Sequence, residues 1–180
     1  MPDAIASALN QTYPHLEVIA VDDGSTDRSR AVIEQYGDRI IAIFQANGKQ
    51  GATFNSGFAA SKGDIIVFLD ADDYLFPEAI ERVVAAWRPG LAKVHYRLQV
   101  VDTVGEPLGN TFPPTGCNLD QGDLWQFILE KGGYTSVSTS GNALSRTALA
   151  QVMPIPDAYR TTADDYLSYQ IPFYGEVVAI

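Results

Sequence analysis

Residues 64–80 read DIIVFLDADDYLFPEAI, an apolar run from Ile65 to Leu69 that ends in Asp70, Asp72 and Asp73, three carboxylates within four positions. The run is apolar on both faces, the pattern of a strand covered by helices on both sides. The following PEAIERVVAAW has helical spacing and opens with Pro77 at a favoured first helical position. A strand leaving a core therefore delivers concentrated negative charge to one spot, and the fold depends on what surrounds that strand.

Two similar units lie upstream. LEVIAVDDGSTD predicts a strand over residues 16–21 that breaks at Asp22-Asp23-Gly24, and RSRAVIEQY then has amphipathic helical spacing. RIIAIFQANG repeats the pattern, its apolar residues from Ile40 to Phe44 stopped by Asn47-Gly48, and GATFNSGFAASKG reads as a small-residue helix ended at Gly63. Three strand-to-helix units in a row predict an α/β fold with a mostly parallel sheet, right-handed crossovers and helices on both faces.

Downstream of Trp87 the pattern is more irregular and reads as α+β. AKVHYRLQVVDTVGEPLG has strand-like runs around a turn at Gly105, and GNTFPPTGCNLDQG reads as a loop. DLWQFILEKGG predicts a short helix capped by Asp123 and closed by Gly132-Gly133, and SRTALAQVMP one that starts at Ser145. The expected organisation is one domain over residues 1–180, with a first half to residue 90 and a second from residue 91. The chain reads as cut at both ends: it opens inside a helical pattern, DAIASALNQTYP, with no strand before it, and stops at GEVVAI with nothing to cover that run.

Composition narrows the function. With 180 residues and 46% hydrophobic content the chain can bury one substantial core. A net charge of −10 and a pI near 4.4 exclude a general phosphate-backbone binder, so nucleic acid is not expected as a partner. The single cysteine, Cys117, cannot close an internal disulfide, and neither a signal-peptide pattern nor an apolar run of about 20 residues is present. The expected location is the cytoplasm, with peripheral membrane association left open.

Ligands of open α/β sheets bind beyond the carboxyl ends of strands, so Asp22-Asp23 and the Asp70, Asp72, Asp73 cluster are expected to face one crevice. Carboxylates this close repel one another unless a hard divalent cation neutralises them, and Mg²⁺ or Mn²⁺ prefers carboxylate and water oxygens completed by substrate phosphates. Capping alone would account for Asp27 and Asp73 but not for Asp70 and Asp72 together. An EF-hand is excluded because the sixth position of DADDYLFPEAIE is Leu75 where glycine is needed.

QTYPHLEVIAVDDGSTDRS (11–29) followed by GKQGATFNSGFAASKGDIIVFLDADD (48–73) resembles the N-terminal half of the family 2 glycosyltransferases, in the nucleotide-diphospho-sugar transferase superfamily with the GT-A fold. A thinner similarity continues through SGNALSRTALAQVMPIP to TTADDYLSYQIPFYGEV. The resemblance implies a metal-dependent, inverting glycosyltransferase acting from a nucleoside diphosphate sugar, UDP favoured, onto a glycan, lipid or protein acceptor, as in polysaccharide biosynthesis. By it, Asp23 recognises the nucleotide base and Asp22 shapes that turn. FLDADD matches the DxD motif, with Asp72 the principal metal ligand and Asp70 contacting the ribose or the metal's water shell. The family's catalytic base belongs to a downstream Glu-Asp pair matched by ADDYLSYQIPFYG. Either Asp164 or Asp165 fits. Gly175 lies eleven residues after Asp164, the family's spacing, which favours Asp164 and puts Ala163 where the family has Glu.

Softer expectations attach to Asn47, Gly51, Asn55 and Asn142 as nucleotide-sugar contacts. Asn47-Gly48 and Gly51 precede a helix N-terminus, Asn55 matches a family Arg-Asn with Phe54 replacing the Arg, and Ser140-Gly141-Asn142 matches a motif near the sugars. Each also fits a turn or packing role. His15 and His95 have no partner at metal-ligand spacing, and Trp87 and Trp125 fit either stacking on a sugar ring or, as is commoner at helical spacing, the core. Two other classes remain: a truncated, non-catalytic sugar-nucleotide-binding module, and a nucleotidyltransferase, whose Gly-rich, Arg/Lys-containing N-terminal loop is not found here.

Overall fold

The apolar runs upstream of the acidic cluster do become strands joined by helices. In a computed structural model that describes all 180 residues, α1 (Pro2–Leu9) leads into β1 (Ile19–Asp23), and α2 (Ser29–Glu34) with a 3-10 turn at Gly37–Arg39 leads into β2 (Ile41–Gln45). The two strands pair in parallel, Ile19 opposite Ile41 and Asp23 opposite Gln45. β1 starts later than the predicted Leu16 because Glu17 turns aside: its carboxylate accepts the N–H groups of Lys62 and Gly63, the latter at 3.0 Å. α3 (Lys49–Ala60) then carries the chain to β3 (Ile65–Val67).

The α/β fold with helices on both faces is as expected, but the mostly parallel sheet is divided into three: the parallel β1–β2 pair, a mixed four-stranded sheet, and a two-stranded antiparallel sheet in the second half of the chain. β3 does not join β1 or β2. It pairs antiparallel with β7 (Asn142–Ser145), which pairs antiparallel with β4 (Leu91–His95), and β4 pairs parallel with β8 (Glu176–Ala179), giving the order β3-β7-β4-β8. The physical anchor is Arg146, whose N–H donates to the Asp64 carbonyl at 2.8 Å and whose guanidinium donates to the Gly63 carbonyl and the Ser61 hydroxyl, both at 2.6 Å. The second half of the chain thereby shares a sheet with the strand that carries the acidic cluster. Helices still cover both faces: α1, α2 and α4 (Ala79–Ala86) one, and α3, α6 (Arg146–Val152) and α7 (Ala163–Gln170) the other.

Local chemistry explains most boundaries. α4 begins two residues after Pro77, whose carbonyl instead accepts the Thr12 N–H at 2.9 Å. α5 (Trp125–Lys131) takes Leu124, not Asp123, at its N-cap and closes on Gly132 at φ 78°, a left-handed position that suits glycine. The hairpin of β5 (Leu98–Val101) and β6 (Pro107–Phe112) turns at Gly105, where φ is 88°. The largest core cluster joins Phe54, Ile66, Leu144, Leu149, Leu167 and Ile171, so α3, α6 and α7 are packed onto β3 and β7 as one layer.

Ser145 ends β7 and caps α6, its hydroxyl accepting the Ala148 N–H at 3.0 Å. Replacing Ser145 with Ala is expected to lower the unfolding free energy by about 1 kcal/mol, read from urea denaturation, because an orphan helix donor loses its partner.

Candidate functional site

The acidic turn is held in place by the second half of the chain. Asp70 lies just beyond β3, after Phe68 and Leu69, and its N–H donates to the Ser140 hydroxyl at 3.0 Å. The Asp73 N–H closes the turn on the Asp70 carbonyl at 3.1 Å. Ser140 is fixed in turn, since its carbonyl accepts the Tyr96 hydroxyl at 2.9 Å. Burial pushes the Asp70 carboxyl above the ordinary carboxylate range, a hydrogen bond from Thr139 opposes this, and the charges of Asp73, Asp72 and Asp164 add to the upward push. Asp72 stands exposed at the tip of the turn.

Asp164 thus lies within electrostatic reach of Asp70, although the two are far apart in sequence. Asp165 is exposed and is not among the groups that act on Asp70. The first turn of α7 is brought there by Gln50 at the start of α3, whose Oε1 accepts the Ala163 N–H at 2.9 Å. Ala163 itself is fully buried in the largest core cluster.

No set of three His, Cys, Asp or Glu side chains converges on a single point. The donor set nevertheless fits a hard cation held by one or two carboxylates, with phosphate and water oxygens completing its shell. The charges of Asp73, Asp72 and Asp164, which add to the effect of burial on Asp70, are repulsion such a cation would relieve.

On the other sheet, Asp23 is engaged as a clamp. Its Oδ1 accepts the Gly48 N–H at 2.9 Å and the Gln45 amide at 2.7 Å, and its Oδ2 accepts the Lys49 N–H at 2.8 Å. Burial alone would raise its carboxyl, but these bonds and the Lys49 charge outweigh it and hold Asp23 below the ordinary range. The turn is tight: a side chain at Gly24, where φ is 74°, would place its Cβ 2.9 Å from the Asn47 nitrogen. Asp22 is 5% exposed, and its Oδ1 has no partner within the chain.

Three of the other expected contact residues have structural partners. Both amide atoms of Asn55 bond the backbone of Ile155, Nδ2 to its carbonyl at 3.1 Å and Oδ1 from its N–H at 2.7 Å. Gly51 packs against the same segment, its N–H donating to the Arg160 carbonyl at 2.8 Å. Asn142 is buried with Nδ2 on the Ser138 carbonyl at 2.7 Å, while its Oδ1 is unpartnered. Asn47 is exposed beside the Gly24 turn. Sequence reasoning missed Thr139 and Gln50, and gave Ser140 no role at the acidic turn. Their one advance signal was that Ser140 lies in the SGN motif.

Beneath this site lies a buried polar layer. Lys93 is fully buried with no carboxylate partner, donating to the Tyr134 hydroxyl at 2.8 Å and the Ser136 hydroxyl at 2.7 Å. It lines one small void with Asn142, Thr139 and Asp164. Burial pushes Lys93 down to about 7. Burial and then the Lys93 charge push its strand neighbour His95 down to about 4.

The profile of glycosyl transferase family 2 matches residues 1–111. An uncharacterized glycosyltransferase of Nostoc sp. is 39% identical over 181 residues, which cover 97% of this chain and 56% of that protein. The chain thus spans about half the length of this relative. Residues 1–349 of Staphylococcus aureus TarS superpose with a TM-score of 0.71 at 17% identity, covering 99% of this chain and 53% of that one, and TarS has also been crystallised with UDP-GlcNAc. A Pyrobaculum calidifontis mannosyltransferase solved with GDP-Man and Mn²⁺ gives a TM-score of 0.64 at 15% identity, covering 98% and 49%. The shared fold is the GT-A fold.

The buried lysine gives a pH test. Lys93 holds its proton less tightly in the folded chain than at its unfolded value near 10.5, so the unfolded chain binds more protons between about pH 7 and 10, and stability rises with pH across that window. His95 contributes a second rise between about pH 4 and 6.5. Urea midpoints are expected to climb from pH 7 toward 10, and Lys93→Met is expected to flatten that climb while leaving a smaller acidic-side rise, because burial still lowers His95 without the Lys93 charge.

Proposed function

This chain belongs to glycosyl transferase family 2, and from that premise we propose that it carries the donor site of a metal-dependent glycosyltransferase moving a sugar from a nucleoside diphosphate, UDP favoured, to a glycan, lipid or protein acceptor with inversion. The observation that supports this reading is the Asp70, Asp72 and Asp73 turn, held by Ser140 at the end of the β3 segment, with Asp164 near enough for its charge to act on Asp70.

In this proposal Asp72 at the tip of the turn, with Asp70 behind it, holds Mn²⁺ or Mg²⁺. When bound, the cation offsets the charge that accumulates on the departing diphosphate. The nucleotide lies toward Asp22, Asp23, Asn47 and Gly51, where the Asp23 clamp keeps the loop before α3 in shape. Asn55 and Asn142 act from behind, holding the segments that frame the donor. Asp164 takes the proton of the acceptor hydroxyl as that oxygen attacks the sugar C1, and the C1–O bond to the diphosphate breaks with its electron pair on the leaving oxygen. Asp165, one residue on and exposed, is the alternative base. No helix is long and apolar enough to cross a membrane. We place the protein in the cytoplasm, in peripheral contact with a membrane where the acceptor is a lipid.

A second reading is a module that binds the sugar nucleotide without transferring it. Buried Ala163, standing where the resemblance expects Glu, favours it.

Calorimetric titration of UDP and GDP with Mn²⁺ and then with EDTA tests the donor site. Binding of one nucleotide that disappears with EDTA is expected, and Asp72→Asn is expected to weaken it by about tenfold or more, roughly 1.4 kcal/mol. Unchanged Mn²⁺ dependence in Asp72→Asn would remove the metal assignment. Asp164→Asn is expected to preserve binding and to lower transfer or donor hydrolysis by about 10²-fold or more. Loss of turnover in Asp165→Asn alone would move the base by one residue, and binding without any turnover in the parent chain would select the second reading.

A further inference from the structure

Lys93 sits fully buried in the middle of β4 with no carboxylate beside it, and a buried charge is costly unless it is paired. A well-packed apolar side chain of similar volume would fill the position without that cost. What the amine supplies instead is aim. Its Nζ donates to the hydroxyls of Tyr134 and Ser136, and Ser136 in turn bonds the Tyr134 hydroxyl, so the phenol oxygen is fixed by two neighbours.

That oxygen holds α7. A helical carbonyl at Ser168 would accept the N–H of residue 172, but residue 172 is proline and has none. The Ile171 N–H goes to the Leu167 carbonyl. The Tyr134 hydroxyl supplies the donor that the helix lacks, reaching the Ser168 carbonyl at 3.1 Å. Ser168 lies one helical turn beyond Asp164, and both line the same small void as Lys93.

The segment that carries Tyr134 leads, at its other end, to the acidic turn. Thr139 bonds the Asp70 carboxyl and Ser140 accepts the Asp70 N–H. This end is braced from the same strand, because Tyr96, the residue after β4, donates its hydroxyl to the Ser140 carbonyl. Residues 134–140 therefore form a bracket between α7 and the Asp70 turn, held at both ends by β4 and its next residue.

We propose that Lys93 and Tyr134 are positioning residues, which through the Ser168 carbonyl set the depth of α7 and with it the placement of Asp164 opposite the Asp70 turn. The inference rests on the reading of Asp164 as the base. A catalytic group displaced by about 1 Å loses rate, whereas the donor nucleotide is held by other residues and keeps its affinity.

The test uses the full chain with Tyr134→Phe, which removes only the hydroxyl, Lys93→Met, and the two combined. Amide exchange is followed by NMR, and hydrolysis of UDP-GlcNAc or GDP-Man with Mn²⁺ is measured, the donor being the one whose nucleotide binds. In Tyr134→Phe the N–H groups of Leu167 to Gln170 are expected to exchange roughly tenfold faster while those of Val94 and Leu144 are unchanged. Its kcat is expected to fall about tenfold with KM for the donor unaltered. Lys93→Met is expected to move both readouts the same way by less, without lowering the thermal midpoint, and the double variant to be no slower than Tyr134→Phe, because Lys93 acts through Tyr134. Unchanged exchange in α7 would overturn the proposal. So would faster exchange with unaltered kcat, the mark of a merely structural bond, or effects of the two substitutions that multiply. A parent chain that binds nucleotide without turnover would instead overturn the reading of Asp164 as a base, and exchange alone would then decide whether the bracket holds α7.

Discussion

A strand only three residues long has to deliver Asp70 into a half-buried position among Asp72, Asp73 and Asp164, and the chain is arranged around that electrostatic demand. Burying a carboxyl beside like charges is unfavourable unless donors are aimed at it or a cation joins it. The partners come from residues about seventy positions downstream: the Ser140 hydroxyl accepts the Asp70 N–H, and Thr139 donates to the carboxyl. They reach it because β7 is paired to β3, with Arg146 anchoring the start of that ladder at Gly63 and Asp64. The antiparallel insertion that departs from a simple alternating α/β sheet is therefore the element that builds the acidic turn.

The same logic ties α7 to the site. Gln50 bonds the Ala163 N–H, Asn55 bonds Ile155 in both directions, and Gly51 approaches Arg160 closely enough that a Cβ there would lie 3.0 Å from its Cα. One face of α3 is thus a docking strip for residues 155–163, and Asp164 is positioned by residues that never touch it. Asn55 and Gly51 hold this strip against α3.

Much was legible in the sequence where a local rule acts alone. Apolar runs ended by Asp or Asn-Gly mark β1, β2 and β3, Ser145 announces a helix, and the spacing of Asp22-Asp23, Asp70 and Asp72 carries the family. What stayed hidden depends on pairing between distant segments. β7 has four residues between a 3-10 turn and a helix, too few for a periodic signal, so nothing in Asn142–Ser145 announced a strand between β3 and β4. Lys93 lies in an apolar run, and no rule applied to that run alone foretells a fully buried amine satisfied by Tyr134 and Ser136 from another segment. Asp123 failed as a cap because the helix begins one residue later, within the normal uncertainty of a boundary set by backbone geometry.

The two halves of the candidate site consequently stand on two different sheets. Asp22 and Asp23 belong to the β1–β2 pair, whereas Asp70, Asp72 and Asp164 are fixed to the sheet that contains β3 and β7. What joins them is the Glu17 tie at the amino ends of the strands, the packing of α1 and α4, and α3, whose start is held by Asp23 and whose flank is held by Asn55. A ligand spanning both carboxyl ends would bind, and so stabilise, the arrangement in which their spacing is right.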